Sequence, residues 1–376
     1  MNGTPAVWHA APDVPVDGRR RVNGHGPRVV FSLALAAALL CYVLPRVAGT
    51  TMHDVGAALD LVTPAETVLL TVLWATGLFV YSFVLTAALP GLSRQRALNL
   101  NLTGSAVANV LPFGGAAGMS LNYLMMRSWG FSTSGFSAYT LITNVWSVLL
   151  KLALPAVALT ALLVSGEHVT ESVRWTGLGA AAALGLVVLV LVAALATPAA
   201  AVRAASVVAP LVARASRLVR RPVEREVVAG VLLEFRDRVA GLVGERWPQL
   251  SLGTIGYGLL QALLLWACLE AVGAQLSPVV VLAAYAVDRV MSMVFLTPGG
   301  TGFAEAGTAA ALVALGGAPA AMAAGVLLYR GFTFALEIPV GGVWLGGWLV
   351  ARRRRNAADV RRAAAMPTEL LESDVR

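Results

Sequence analysis

Apolar stretches of about 20 residues or more recur along this chain, at 65–90, 136–164, 173–197, 252–272 and 319–350. Roughly 20 such residues, coiled as a helix, cross a hydrocarbon core of about 30 Å. Charged residues make up only 13% of the 376 positions, against about 25% in soluble domains. A chain so apolar cannot cover itself with a polar surface. The expected fold is therefore an all-α integral membrane protein. About six full spans are expected, with two further apolar segments interrupted by Pro and Gly.

Residues 1–27 are polar and rich in Pro, Gly and Arg, and read as a disordered N-terminus. The run Val29–Leu44 fits either an uncleaved first span or a signal-peptide core. Its long leader and the flank Pro45-Arg46 favour the span. Residues 198–250 form the main polar insertion. There Val228, Val231, Leu232, Phe235, Val239, Leu242 and Val243 recur at helical spacing, with arginines and glutamates between them. That pattern predicts an amphipathic helix, lying either on the membrane surface or on the protein's own face. A basic tail, 351–376, follows the last span.

Arginine carries nearly all of the positive charge, and Lys151 is the one lysine. The arginines cluster at 19–28, 94–127, 203–246 and 352–362, whereas the flanks near 46–64 and 165–174 hold Arg46 and Arg174. The positive-inside rule then places both termini and the insertion in the cytoplasm of a bacterial cell. An even number of crossings follows, so each interrupted segment returns to its own side. Two short spans or one re-entrant hairpin per segment would both satisfy this.

The interrupted segments resemble each other. The first holds Pro112, Gly114, Gly115 and Gly118; the second holds Pro298, Gly299, Gly300 and Gly302. Each precedes a short apolar stretch, a glycine (Gly130; Gly316-Gly317) and a long span. With the arginine-derived orientation, the halves 28–164 and 173–350 form an inverted repeat. Interrupted helices in inverted repeats are the architecture of many secondary transporters. A Pro-Gly break leaves backbone groups unpaired, and lipid cannot satisfy them. Such a break needs protein, water or a polar ligand beside it. Ordinary kinked helices packed on small residues are the plainer alternative.

Ionisable groups inside the bilayer cost roughly 2.5–3.5 kcal/mol each on insertion scales. Lys151, Asp288, Arg289, Glu305 and Arg330 are the candidates, and they must pair, face water or contact a ligand. Thr140, Asn144, Ser147 and Lys151 share one helical face. No Asp or Glu lies between Glu66 and Glu167, so Lys151 pairs with the second half or with an anionic ligand. Asn101, Ser105 and Asn109 share another face. Tyr285, Asp288 and Ser292 share a third, with Arg289 to one side. Glu305 falls in the first turn of a new helix, where the dipole favours a carboxylate, either as a cap or as a ligand. Arg330 shares its face with Thr333 and Glu337, and a pair with Glu305 or Asp288 is expected.

Other chemistries lack their residues. Cys41 and Cys268 sit in apolar runs, and His9, His25, His53 and His168 are scattered. Neither pattern fits a disulfide framework or a metal site. There is no Walker loop, dinucleotide fingerprint or nucleophile elbow. No cofactor, metal or nucleic-acid partner is expected, and membrane lipids are the expected partners.

The series Pro112-x-Gly-Gly-x-x-Gly118, then Pro298-Gly-Gly-Thr-Gly-Phe-Ala-Glu305, then Tyr329-Arg330 resembles the lysylphosphatidylglycerol synthase transmembrane-region family. This is the flippase-like domain also found in bacterial multiple-peptide-resistance proteins. The resemblance spans about residues 28–350. It implies translocation of a lipid, an anionic phospholipid or a lipid-linked glycan precursor, across the cytoplasmic membrane. It places functional weight on Glu305 and Arg330, and less on Asp288. Full-length synthases of that group carry a soluble aminoacyl-transferase domain, and here about 25 polar residues follow Arg352, so synthase activity is not expected. A membrane enzyme or accessory subunit acting on a lipid-linked sugar is the alternative. An ion-coupled transporter of small solutes is a third.

Overall fold

The computed structural model describes residues 44–111, 114–166, 171–196, 225–293 and 302–364. The described residues form helices and connecting turns, with no strand element among them. Two short helices, α1 (Leu44–Ala48) and α2 (Met52–Leu59), lead into the long α3 (Pro64–Ala88). A hairpin of α4 (Arg94–Val110) and α5 (Gly114–Ser128) precedes the long α6 (Thr133–Val164) and α7 (Glu171–Ala196). Then come α8 (Arg225–Ala271), a second hairpin of α9 (Pro278–Met291) and α10 (Phe303–Ala314), α11 (Pro319–Arg330) and α12 (Glu337–Ala364). The candidate first span Val29–Leu44, all but Leu44, the N-terminus 1–27, residues 198–224, Pro112, and Pro298, Gly299 and Gly300 lie outside the described residues.

Four stretches among the described residues are long and apolar enough to cross a membrane: Pro64–Ala88, Thr133–Val164, Glu234–Ala271 and Pro319–Arg354. Gly177–Val190 of α7 and Ala304–Ala314 of α10 are shorter apolar helices. Large apolar side chains stay on the outside along these helices, such as Leu189, Leu259 and Val343. In water that surface would be costly; against lipid tails it is matched. The protein is a multi-pass membrane protein.

Local signals set the helix starts. Pro64 occupies the first turn of α3, where a missing N–H costs nothing. Thr63 accepts from the Glu66 N–H, and the Glu66 carboxylate accepts from the Thr63 N–H at 2.8 Å. Ser93, Ser132 and Ser277 cap α4, α6 and α9 by accepting one N–H each, from Arg96, Gly135 and Val280. The second helix of each hairpin ends alike. Gly130 and Gly316 have φ of 87° and 98°, the left-handed region that glycine adopts without steric cost. The Phe131 N–H then reaches back to the Met126 carbonyl, and the Gly317 N–H to the Leu312 carbonyl.

The described part of the amphipathic insertion is continuous with the span that follows it. Residues 225–250 run straight into the following span as α8, with Pro248 inside it. Val239 and Leu242 are buried in a cluster with Leu89, Met125, Met126 and Trp348. Of the two expected placements, this part of the helix takes the one against the protein itself.

The central packing is α3 against α8, and the hairpins pack across it. The first hairpin's α4 lies on α12, and the second hairpin's α9 lies on α6. Each hairpin therefore leans on the long helix that follows the other one. Two main clusters of buried apolar residues result, one around Leu264, Tyr285 and Tyr329 and the other around Leu89, Met126 and Trp146. Between α11 and α12, residues Gly331–Ala335 make one π-turn, in which the Leu336 N–H donates to the Gly331 carbonyl at 2.8 Å.

Close approach of α4 and α12 depends on Gly341. A Cβ there would overlap the Leu102 carbonyl and sit 2.6 Å from the Ala106 methyl. Gly341→Ala is expected to destabilise the protein by about 1–3 kcal/mol, the usual cost of overpacking. Thermal unfolding in detergent measures this; an unchanged Tm would show that the two helices can separate freely.

Candidate functional site

The hairpins and long helices bring the sequence-predicted polar residues into two neighbouring places. The first is an ion cluster built by α9, α10 and α11. Asp288 is buried near the end of α9. Its Oδ2 accepts from Arg289 Nε at 2.8 Å and from Nη2, and its Oδ1 accepts from Arg330 Nη2 at 3.2 Å. Arg330 Nε also lies 3.0 Å from Glu305 Oε1, an ion pair by distance in which the N–H is not aimed at the oxygen. Both of the alternative pairs expected for Arg330 are present at once.

Glu305 serves two ends. Its second oxygen, Oε2, accepts the Gly302 N–H at 2.6 Å. The backbone at the start of α10 is therefore tied to the same carboxylate that meets Arg330. The cap and the expected partner of Arg330 are one residue. The side chains of Asp288, Glu305 and Arg330 are 2%, 1% and 8% exposed, so water screens these charges little. Two carboxylates and two guanidiniums make the cluster neutral. Arg289 also lies over the Tyr285 ring, 5.2 Å from its centroid.

The second place is a cavity of about 280 Å³ formed by α4, α5, α6 and the end of α3. Asn101, Ser105, Asn122, Thr140, Asn144 and Ser147 line it, with Gly115 and Gly118 on its α5 wall. None of the described residues that line it is charged. Gly118 keeps α5 close to α4, since a Cβ there would lie 2.6 Å from the Gly104 carbonyl oxygen. Asn122 Oδ1 is buried without a hydrogen-bond partner, which leaves an acceptor available to a ligand donor. Amides and hydroxyls without net charge suit a hydroxyl-rich group. The volume lies at the small end of ligand pockets, roughly 300–1,000 Å³.

Lys151 stands between the two. It is one helical turn beyond Ser147 on the same face of α6, half-buried, and within electrostatic reach of Asp288 and Arg289. No ion pair or hydrogen bond joins it to a described residue. Both arginines of the cluster are paired with carboxylates, whereas Lys151 has no ion pair among the described residues. Asn109 is elsewhere: its Nδ2 donates to the Phe334 carbonyl at 3.3 Å, inside the π-turn. It satisfies a carbonyl of irregular backbone from the second half of the chain, a positioning task. A π-turn directly after Arg330 fits the tendency of such turns to mark functional sites.

Two residues escape a sequence-only site list. Glu337 is buried, with Ser105, Trp74 and Arg330 around it; its signal was its position on the face of Arg330. Asn122 lies four residues after Gly118, one more polar residue on the wall that Gly118 belongs to. Its role emerges only when α5 folds back on α4.

Removing one member of a buried ion pair leaves a charge without a partner, at a cost of about 3–5 kcal/mol. Arg330→Gln is expected to destabilise by that order, and Lys151→Gln by less than about 1 kcal/mol. Denaturation of both variants in the same detergent checks the contrast. Equal losses would show that Lys151 is a structural member of the cluster.

A comparison with curated proteins found no match. The family model described as "Lysylphosphatidylglycerol synthase TM region" matches residues 29–341, a range that contains both hairpins, the ion cluster and the cavity. By that match, over most of its length and over the residues just described, this chain belongs to the lysylphosphatidylglycerol synthase transmembrane-region family.

Proposed function

We propose that this protein translocates a lipid with an anionic headgroup across the cytoplasmic membrane, with both termini on the cytoplasmic side. The observation that carries this reading is Lys151: a half-buried cation near the middle of α6, without a partner among the described residues, beside a neutral polar cavity. A buried charge is costly unless paired. A lipid phosphate at Lys151 would repay that cost, with its headgroup hydroxyls in the cavity lined by Asn101, Asn122 and Asn144. Membership of a family defined by a lipid-modifying enzyme's membrane region supports a lipid as cargo.

The same reading takes the two hairpin and long-helix units as an inverted repeat. One fixed offset in residue number carries Pro112 to Pro298, Gly130 to Gly316, Asn144 to Arg330 and Lys151 to Glu337. The reciprocal leaning of α4 on α12 and of α9 on α6 is what a two-fold relation produces. In such a pair, only the second half carries the ion cluster, and it acts as the rigid side. The first half, with its empty-handed lysine and polar cavity, takes the cargo. Alternation of the two halves around that site would expose the headgroup to either face.

A second reading has one observation in its favour. The uncharged lining of amides and hydroxyls suits a sugar, so the protein would hold a lipid-linked sugar for synthesis rather than for transport. Covalent turnover of a labelled lipid carrier by the purified protein separates this from translocation.

Proteoliposomes with a fluorescent or chemically quenchable lipid test the main proposal. Wild-type protein is expected to move phosphatidylglycerol or a polyprenyl phosphate sugar faster than empty liposomes do. Lys151→Gln is expected to slow that flux by about tenfold or more, the loss of one charge-assisted contact. Flux equal to that of empty liposomes across all lipids tried would end the proposal. Undiminished flux in Lys151→Gln would remove this lysine from it.

A further inference from the structure

We propose a second lipid site, separate from the central cavity: a pocket at the arginine-rich end that binds the phosphodiester headgroup of an anionic phospholipid. The pocket lies between the first turns of α4 and the later turns of α12. Its volume is about 430 Å³, and Gln95, Arg96, Asn99, Trp129, Trp344 and Trp348 line it. It shares no lining residue with the cavity near Lys151. Asn99 faces this pocket and Asn101 faces the other, as expected two residues apart on a helix. The site does not depend on the translocation proposal.

Three observations point to this ligand. The first is unbalanced charge. Arg96 lies over the Trp129 ring at 5.3 Å, and Arg352 over the Trp348 ring at 5.3 Å. No ion pair joins either arginine to a described carboxylate. Arg96 lines the pocket, and Arg352 lies at its edge, next to the lining residue Ala351; guanidiniums held by aromatic faces keep N–H groups available to an anion, and their planar fork suits phosphate oxygens.

The second observation is polar groups without partners. Trp348 is 6% exposed, and its Nε1–H has no hydrogen-bond partner; Asn99 Oδ1 is buried and also without one. A buried donor and a buried acceptor left unmade cost free energy. A headgroup supplies both complements: phosphate oxygens for the indole N–H, and a glycerol hydroxyl for the amide oxygen.

The third is the surroundings. Val343 lines the pocket at 76% exposure, and Leu349 and Val350 of the same helix are 41% and 50% exposed. An acyl chain leaving the pocket would run along this apolar face. Tryptophans gathered beside arginines are the pattern of a membrane–water interface. By the positive-inside rule this end faces the cytoplasmic leaflet, whose anionic lipids attract basic residues.

Full-length protein, purified and stripped of lipid in a neutral detergent, would be titrated with phosphatidylglycerol, phosphatidylcholine and glycerol phosphate, with native mass spectrometry as the readout. The Lys151→Gln background lowers the contribution of the central cavity, and changes confined to the Arg96, Arg352 and Trp348 variants report on this pocket alone. Phosphatidylglycerol is expected to bind at least several-fold tighter than phosphatidylcholine. Arg96→Gln and Arg352→Gln should each weaken it by about fivefold, with phosphatidylcholine unchanged. Trp348→Phe keeps the ring and the fold and removes only the N–H; it should weaken phosphatidylglycerol by about two- to threefold. Wild-type affinity in the double arginine variant and in Trp348→Phe would overturn the site and leave both arginines as interface anchors. Equal binding of glycerol phosphate would overturn its lipid character.

Discussion

Arg330 meets two carboxylates at once, Asp288 from α9 and Glu305 from α10, and the second hairpin depends on that meeting. The chain between those carboxylates includes the Pro298-Gly299-Gly300 break, a segment that lipid alone would not tolerate. The charges draw α9, α10 and α11 together. Glu305 then reaches back to the Gly302 N–H, so the electrostatic tie is also a backbone tie. In a soluble protein a buried ion pair is weak evidence for stability. Within a membrane the alternative to pairing is a bare charge in hydrocarbon, and the network specifies which helices must meet.

The first hairpin solves the same backbone problem without charge. Its α4 and α5 approach through Gly104 and Gly118, and Gly341 lets α12 lie against α4. Asn109 crosses to the Phe334 carbonyl and satisfies the π-turn beside Arg330. Small residues and one amide thus do for the first half what guanidiniums and carboxylates do for the second. The charged half is filled by its own partners, whereas the neutral half keeps a cavity and an unmatched lysine beside it.

The arginine-rich end adds a different chemistry. There Trp129 and Trp348 present rings toward Arg96 and Arg352, with α12 carrying exposed apolar side chains. The centre of the molecule offers hydroxyls and amides around one ammonium; this end offers guanidiniums among indoles.

The sequence by itself determined the class of the fold, because long apolar runs have one cheap conformation in lipid. The helices Pro64–Ala88, Thr133–Val164 and Glu171–Ala196 fall within a few residues of the runs that predict them. It also marked Lys151, Asp288, Arg289, Glu305 and Arg330, since charge in an apolar run is conspicuous wherever it lands. Periodicity did not reveal that the amphipathic insertion continues into a span as one helix, because a surface-like pattern and a buried one differ only in what lies opposite. Val239 and Leu242 found Met126 and Trp348, residues more than a hundred positions away. Tertiary structure alone decided the partners: that Arg330 takes both carboxylates, that Lys151 takes neither, and that Asn122 and Asn144 face one cavity. A helix face can be computed from spacing, but the neighbour it meets depends on how distant helices cross, and no local pattern encodes that crossing.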